Sequence, residues 1–229
     1  SSAFIDFIHS LQLDISGADI SFAAPLSFDA EIKKGDIRVS DMFNLYKYEN
    51  MLYVMKLSGK EIKDFLEESY YMWTNQMKSP EDHLLWLKEK RTAGAEDRAS
   101  FQNFSFNFDS AAGIIYTVDV TKPKGEKVTI VSMADGAPFR MDHIYKVALN
   151  SYRGNGGGEL LTKGSGIPQE KLKERIIFST DKDLRFYLMQ YIEKKGTLNP
   201  RALNQWKFIP EEWVKPAAER DYEYLFGTK

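Results

Sequence analysis

The sequence predicts an α+β fold, a single domain in which a mixed β-sheet is flanked by helices. Two observations lead to this prediction. Short apolar runs typical of buried strands recur along the chain and are separated by turns rich in Gly, Pro and Asp. Between them lie longer amphipathic segments with recognisable helix caps. No internal repeat or low-complexity segment divides the 229 residues, so we expect one domain spanning residues 1–229.

The first elements are a helix, a strand and a short helical turn. Residues 1–15 place apolar side chains at helical spacing and precede Gly17, which is a typical C-terminal stop. Residues 18–23 predict a buried strand. Ser40 and Asp41 are then expected to cap a short helical turn.

A second strand is predicted at 51–57, directly before a helix that we expect to end near Trp73. Ser58 and Glu61 form a capping box, because the hydroxyl and the carboxylate can each accept from an N–H group that the helix leaves unpaired. Residues 75–100 are highly charged. They predict either a mobile insertion or an ordinary exposed helix and turn.

The second half of the chain is richer in strand patterns. Further strands are predicted at 101–108, 113–120, 127–133, 144–149 and 176–178. Thr180 is expected to cap a helix that runs through Lys195, with Gly196 as its stop. The C-terminal tail is rich in aromatic residues and proline, and we expect it to wrap the surface.

The composition excludes several kinds of function. The net charge is −2 and no basic cluster is present, which argues against nucleic acid as a partner. No apolar run is long enough to span a membrane. The chain has no cysteine, so disulfides, thiol catalysis and Cys-ligated zinc are excluded. The three histidines lie far apart and lack metal-ligand spacing, so we expect no catalytic metal site in this chain.

A glycine-rich stretch at 150–159 follows the strand at 144–149. Its glycines allow positive φ angles and close approach of a ligand to the backbone. An aromatic ring, a cation and an amide, those of Tyr152, Arg153 and Asn155, lie beside them. A loop of this kind after a strand is a natural binding site. A flexible surface connection is an equally good explanation of the glycines alone.

Three motifs in order suggest a family. They are Ala-Asp-Ile-Ser-Phe at 18–22, Leu-Tyr-Lys-Tyr-Glu-Asn at 45–50 followed by Lys-Leu-Ser-Gly-Lys-Glu-Ile at 56–62, and Tyr-Lys-Val-Ala-Leu-Asn-Ser-Tyr at 145–152 followed by Gly-Gly at 156–157. Their order and spacing resemble the C-terminal domain of the 5'-nucleotidase family over essentially the whole chain.

The resemblance implies a division of labour. In this family an N-terminal metallophosphoesterase domain, absent from this chain, holds two divalent metal ions and the catalytic residues. The C-terminal domain binds the nucleoside and clamps its base between two aromatic rings, which match Tyr48 and Tyr152 here. Asn50 matches an amide that contacts the base in some members. Asp109 and Gly113 match a segment that the family uses for close backbone contact with the base, and the resemblance implies that they contribute to binding.

The sequence departs from the family pattern at two places. The acidic residue that holds the ribose aligns with Gly158, and the nearest carboxylate is Glu159. An Asn-Gly-Gly-Gly-Ile-Arg segment of the family is replaced by Ala-Ala-Pro-Leu-Ser at 23–27. Other polar and glycine residues of the glycine-rich stretch are then candidate contacts. The full set of expected substrate-binding residues is Tyr48, Asn50, Asp109, Gly113, Tyr152, Arg153, Asn155, Gly156, Gly157 and Glu159.

The resemblance therefore predicts the nucleoside-binding domain of a periplasmic or secreted phosphohydrolase that acts on nucleotides or related phosphoesters. The chain opens in a helical pattern without an initiator Met, which suggests a piece of a longer protein. We expect this piece alone to be inactive, with its partner the metallophosphoesterase domain of the same protein. The alternative is a non-catalytic binding module that kept the fold and lost the nucleotide site.

Overall fold

A computed structural model describes residues 2–25, 32, 34–88 and 100–227. Its helices are α1 (Ala3–Ser16), α2 (Val39–Leu45), α3 (Gly59–Trp73), α4 (Ser151–Gly154), α5 (Leu172–Arg175), α6 (Leu184–Lys195) and α7 (Glu211–Phe226). Its strands are β1 (Ile20–Ala23), β2 (Met51–Ser58), β3 (Leu87–Lys88), β4 (Ser100–Phe101), β5 (Ser110–Ala112), β6 (Ile114–Asp119), β7 (Val128–Met133), β8 (Ile144–Asn150), β9 (Ile176–Asp183) and β10 (Trp206–Ile209).

A five-stranded mixed sheet in the order β5-β1-β8-β2-β9 forms the centre of the domain. Strands β1 and β8 run parallel, and the other neighbours are antiparallel. A three-stranded sheet has the order β10-β6-β7, and β3 pairs with β4 in a two-stranded one. This architecture is the predicted α+β class with a mixed sheet.

Both faces of the central sheet are covered. Helix α3 packs on one face through Ile62, Phe65 and Leu66, each fully buried. Helices α1 and α6 cover the other face, where Leu11 and Leu188 are buried. Because side chains of a strand alternate between faces, β2 and β8 contribute apolar residues to both clusters.

Local capping signals in the sequence are confirmed. The Ser58 hydroxyl oxygen accepts from the Glu61 backbone N–H at 3.2 Å, and the Glu61 carboxylate accepts from the Ser58 N–H at 2.7 Å. Gly17 ends α1 with φ 59°, as expected for a left-handed C-terminal cap. Helix α2 begins slightly earlier than predicted, so Ser40 and Asp41 lie within its first turn.

Two predictions for the second half are wrong. Residues 101–108 are not a strand, since they contain only the end of β4 and a 3-10 turn at Ser105–Asn107. Thr180 does not cap a helix. It lies in β9, where its hydroxyl accepts from the Leu52 N–H, and Asp183 caps α6 instead by accepting from the Phe186 N–H.

The C-terminal tail is also more regular than predicted. It forms β10, which pairs in parallel with β6, and then α7. Residues 75–88 lie beside this helix, and Met77 and Leu84 are buried in a cluster with Ala217. Residues 89–99 lie outside the described part of the chain, and the predicted mobile insertion at 75–100 stays a prediction.

Candidate functional site

The start of β2 and the end of β8 meet at one edge of the central sheet. The antiparallel register pairs Leu52 with Asn150, which brings the chain before β2 next to the chain after β8. The Ser151 hydroxyl accepts from the Met51 N–H at 3.1 Å and joins the two segments directly. Tyr48, just before β2, and Tyr152, in α4, are therefore carried by connected pieces of backbone.

Local capping orients Tyr152. The Asn150 side chain caps α4 by accepting from the Arg153 N–H at 2.9 Å. Helix α4 lies closely against β2, because a Cβ at Gly154 would come within 2.6 Å of the Tyr53 ring. The helix is thus held at both ends of its single turn, and Tyr152 projects from it with its side chain exposed.

The two tyrosines share a third aromatic neighbour. Tyr48 is 38% exposed and Tyr152 is 40% exposed, so both rings are accessible while partly supported. The half-buried ring of Phe106 lies 6.4 Å from the Tyr48 ring and 6.0 Å from the Tyr152 ring, centroid to centroid. It is close to perpendicular to each, at 78° and 86°. Such geometry is typical of edge-to-face aromatic contacts.

A buried cation lies beneath these rings. Arg153 is only 2% exposed and forms an ion pair with the buried carboxylate of Asp109 at 2.5 Å. Its guanidinium donates to the Phe106 carbonyl at 2.9 Å, to the Asn107 side-chain oxygen at 3.3 Å and to the Gly157 carbonyl. The structure therefore places Arg153 and Asp109 under the site, where they tie the Phe106 segment to the glycine-rich stretch.

Burial shapes the electrostatics of this pair. Burial raises the pKa of Asp109, and the neighbouring Arg153 guanidinium opposes that rise. Two residues before Tyr48, burial raises the pKa of Tyr46 to about 12, and the nearby amide of Asn50 opposes the shift. Asn50 itself is half-buried, and its carbonyl accepts from the Leu184 N–H.

The glycines of the stretch serve packing as well as conformation. A Cβ at Gly157 would lie 2.5 Å from the Tyr152 ring, so the ring rests against this glycine. Gly156 and Gly158 have φ angles of 92° and 68°, which favour glycine. Glu159 follows with φ 61°, an uncommon conformation for a residue with a side chain, and it is exposed beside the site.

The remaining two predicted site residues differ in their position relative to the tyrosines. Asn155 is exposed, and its carbonyl accepts from the Gln169 side chain at 2.9 Å. Gly113 lies at the opposite end of β5 from Asp109, where a Cβ would overlap the Asp19 carbonyl. Close approach to β1 explains that glycine, and the structure does not bring it to the tyrosines.

Three contributors were not predicted from the sequence, namely Phe106, Asn107 and Ser151. The phenylalanine run at 101–108 was the only available signal for the first two, and its alternation indicated a strand. Within the described residues, no group of three or more His, Asp or Glu side chains could hold a metal ion. No helix of the described part of the chain is long and apolar enough to cross a membrane.

The fold and this edge define a class: an α+β domain that presents paired, half-exposed aromatic rings over a glycine-rich turn. The chain belongs to the family described as 5'-nucleotidase, C-terminal domain, whose sequence model matches residues 1–163. The predicted family is thereby confirmed.

Curated relatives share this part of their sequence. The chain is 30% identical over 196 residues to the trifunctional nucleotide phosphoesterase protein YfkN of Bacillus subtilis, covering 80% of this chain and 12% of YfkN. It is 28% identical over 195 residues to a 2',3'-cyclic-nucleotide 2'-phosphodiesterase/3'-nucleotidase of Haemophilus influenzae, covering 79% of this chain and 27% of that protein. The chain thus spans about a quarter or less of these relatives.

Solved structures share the fold. A 5'-nucleotidase precursor from Thermus thermophilus matches with a TM-score of 0.63 and 19% identity, covering 91% of this chain and 35% of that one. The NAD nucleotidase of Haemophilus influenzae matches with a TM-score of 0.62 and 17% identity, covering 91% and 33%. These likenesses confirm the predicted fold class.

Proposed function

We propose that this chain binds the nucleoside part of a nucleotide or related phosphoester and clamps its base between Tyr48 and Tyr152. The observation that carries the proposal is the pair of half-exposed rings at one sheet edge, joined through the Met51–Ser151 hydrogen bond. A base offers two flat faces, and stacking on an aromatic side chain contributes about 1–3 kcal/mol per base. The relatives named above are nucleotide phosphoesterases, which agrees with such a ligand.

The proposal assigns catalysis to a separate part of a larger protein. A metallophosphoesterase domain with two divalent metals would cleave the phosphoester, since such metals polarise the phosphate and activate water. The described residues of this chain offer no cluster of metal ligands, so no step of the cleavage is assigned to them. Their contribution is binding and orientation, which lowers a barrier without breaking a bond. The whole protein would act in the periplasm or outside the cell.

The test is a titration of the purified chain with a panel of nucleosides and nucleoside monophosphates, followed by calorimetry. Replacing either clamp residue, Tyr48→Ala or Tyr152→Ala, is expected to weaken binding about 5- to 150-fold, the equivalent of 1–3 kcal/mol. Tyr71→Ala is the matched control, because Tyr71 is 43% exposed on α3 and its ring lies under the Lys124 ammonium instead. Its affinity is expected to match that of the wild type.

Absence of binding to every nucleoside and nucleotide would overturn the clamp and favour a binding module that has lost the site. A second measurement addresses catalysis. The chain alone, incubated with Mn²⁺ and a 2',3'-cyclic nucleotide, is expected to release no product. Metal-dependent turnover that co-purifies with the chain, and that is abolished by substitutions in it, would show that the catalytic residues lie here after all.

A further inference from the structure

Phe106 stands out as the aromatic residue that the clamp hypothesis leaves without a role. It is half-buried, lies on a 3-10 turn and packs against the core cluster that α1 and α6 form on the central sheet. Its ring also contacts both tyrosines, with centroid distances of 6.4 and 6.0 Å. A residue that is anchored in the core and touches both halves of a clamp is suited to shape the space between them.

The ring angles define how a base would meet Phe106. A base stacked on Tyr152 would be parallel to that ring and therefore about 86° from the plane of Phe106. A base stacked on Tyr48 would be about 78° from it. Either way the base would lie close to perpendicular to the Phe106 ring, so the two would not stack face to face. In this arrangement Tyr48 and Tyr152 form the two sides of a slot for the base, and Phe106 closes its end.

The available width agrees with this arrangement. Since the Tyr48 and Tyr152 centroids lie 6.4 and 6.0 Å from the Phe106 centroid, the two tyrosine centroids are at most about 12 Å apart. A base between two rings needs about 7–8 Å, twice the contact distance between carbon atoms. This upper limit on the distance between the two tyrosines is wider than one base requires.

Backbone contacts hold Phe106 in place. The Arg153 guanidinium donates to the Phe106 carbonyl at 2.9 Å and to the Asn107 side chain. The Ser69 hydroxyl donates to the Asp109 carbonyl at 2.8 Å and fixes the end of the same turn. Both anchors are buried, so the backbone that carries the Phe106 ring is held in place.

We propose that Phe106 is the end wall of the base slot and determines how large a base the slot accepts. This inference rests on the proposed nucleoside-binding function and adds a specificity-determining residue to it. The wall is hydrocarbon and offers no hydrogen bond, so it discriminates by depth and not by the pattern of donors and acceptors. Shortening it would give room to the second ring of a purine, while a pyrimidine would gain little.

The experiment compares the ratio of affinities for adenosine and cytidine in the wild type, Phe106→Ala and Phe106→Leu. The ratio is expected to shift toward adenosine by at least threefold in Phe106→Ala and by a smaller factor in Phe106→Leu. Phe106→Leu retains apolar packing, so the ratio of affinities can still be measured if Phe106→Ala fails to fold. Near-ultraviolet circular dichroism of each variant verifies the fold.

Phe104→Ala is the matched control. Phe104 is 72% exposed and stacks face to face on Phe106 with centroids 5.1 Å apart. Among the described ring contacts it meets Phe106 and neither tyrosine. Its ratio of affinities is expected to equal that of the wild type. An equal shift in this control would overturn the wall, because any loss of aromatic surface would then have the same effect.

The failures of the two proposals are distinguishable. If the wild type binds nucleosides and the ratio is unchanged in both Phe106 variants, the wall is overturned and the clamp stands. If only the Phe106 variants bind, Phe106 fills the slot instead of ending it, and the wall is overturned. If no variant binds any nucleoside, the clamp and the wall both fall.

Discussion

Replacement of Arg153 by Met is expected to remove the contacts that connect the Phe106 segment to the glycine-rich stretch. Arg153 and Asp109 are both buried, and the guanidinium also donates to the carbonyls of Phe106 and Gly157. Methionine has a similar length but no hydrogen-bond donor. The variant therefore leaves the Asp109 carboxylate and the carbonyls of Phe106 and Gly157 without the guanidinium. Removing one partner of a buried ion pair costs about 3–5 kcal/mol. We expect the free energy of unfolding to fall by about this amount at pH 7.

Urea unfolding, followed by tryptophan fluorescence, measures the loss of unfolding free energy. An unchanged slope of this free energy against urea concentration would show that the variant exposes as much surface on unfolding as the wild type. Arg140→Met is the control. Arg140 pairs with Asp142 at the surface, where both side chains are mostly exposed, and exposed pairs contribute about 0–1 kcal/mol. If Arg153→Met lost no more than Arg140→Met, the idea that Arg153 supports the site would be refuted.

The pH dependence of the same variant provides a further check on the cause. Burial already raises the pKa of Asp109, and Arg153 lowers it. Without the guanidinium, the pKa of Asp109 in the folded variant rises further above its unfolded value. A group with a raised folded pKa loses stability as the pH rises through that pKa. The deficit of Arg153→Met relative to the wild type is therefore expected to be smaller at pH 5 than at pH 7.

Two other variants test the packing of the site and of the core. Gly157→Ala places a Cβ 2.5 Å from the Tyr152 ring, so we expect nucleoside binding to weaken several-fold, measured by calorimetry, while unchanged affinity would contradict the contact. Burial lowers the pKa of His9 to about 4, so the contribution of this residue to the free energy of unfolding should fall by about 3 kcal/mol as the pH falls from 6.5 to 4. His9→Gln should remove this part of the pH dependence in urea unfolding, and a pH dependence equal to that of the wild type would refute the assignment.

Elements with local signals were predictable from the sequence. The capping box of Ser58 and Glu61 needs only residues three apart, and it marked the start of α3 correctly. The apolar run of β2 likewise predicted its strand, because both faces of the central sheet are covered and nearly every side chain there is apolar.

Elements that depend on distant partners were not predictable in the same way. Residues 101–108 alternate phenylalanine with polar residues, which favours a strand. The rings instead go to different places: Phe108 stacks on Trp73 in the core, while Phe104 is exposed. Arg153, 47 positions from Phe106, binds its carbonyl within the turn. A local pattern does not contain that contact.

The same limit applies to the candidate site. The family resemblance predicts Tyr48 and Tyr152 as clamp residues, but a sequence cannot show that Arg153 is buried and that the protein itself engages both terminal nitrogens of its guanidinium. A cation in a glycine-rich loop favours a role in binding a ligand. Here the ion pair with Asp109 gives Arg153 a buried partner, and it makes the arginine a positioning residue in the structure.

The burial of Arg153 also agrees with a glycine at position 158, where the family resemblance predicts an acidic residue. Gly158 has φ 68°, and a Cβ there would overlap the Asn107 side-chain oxygen and the Arg153 guanidinium. A carboxylate at this position would also compete with Asp109 for the guanidinium. The side chains of Arg153 and Asn107 thus occupy the space that an acidic side chain at position 158 would need. The nearest carboxylate is then Glu159, exposed and in a left-handed conformation that turns the chain at the edge of the site.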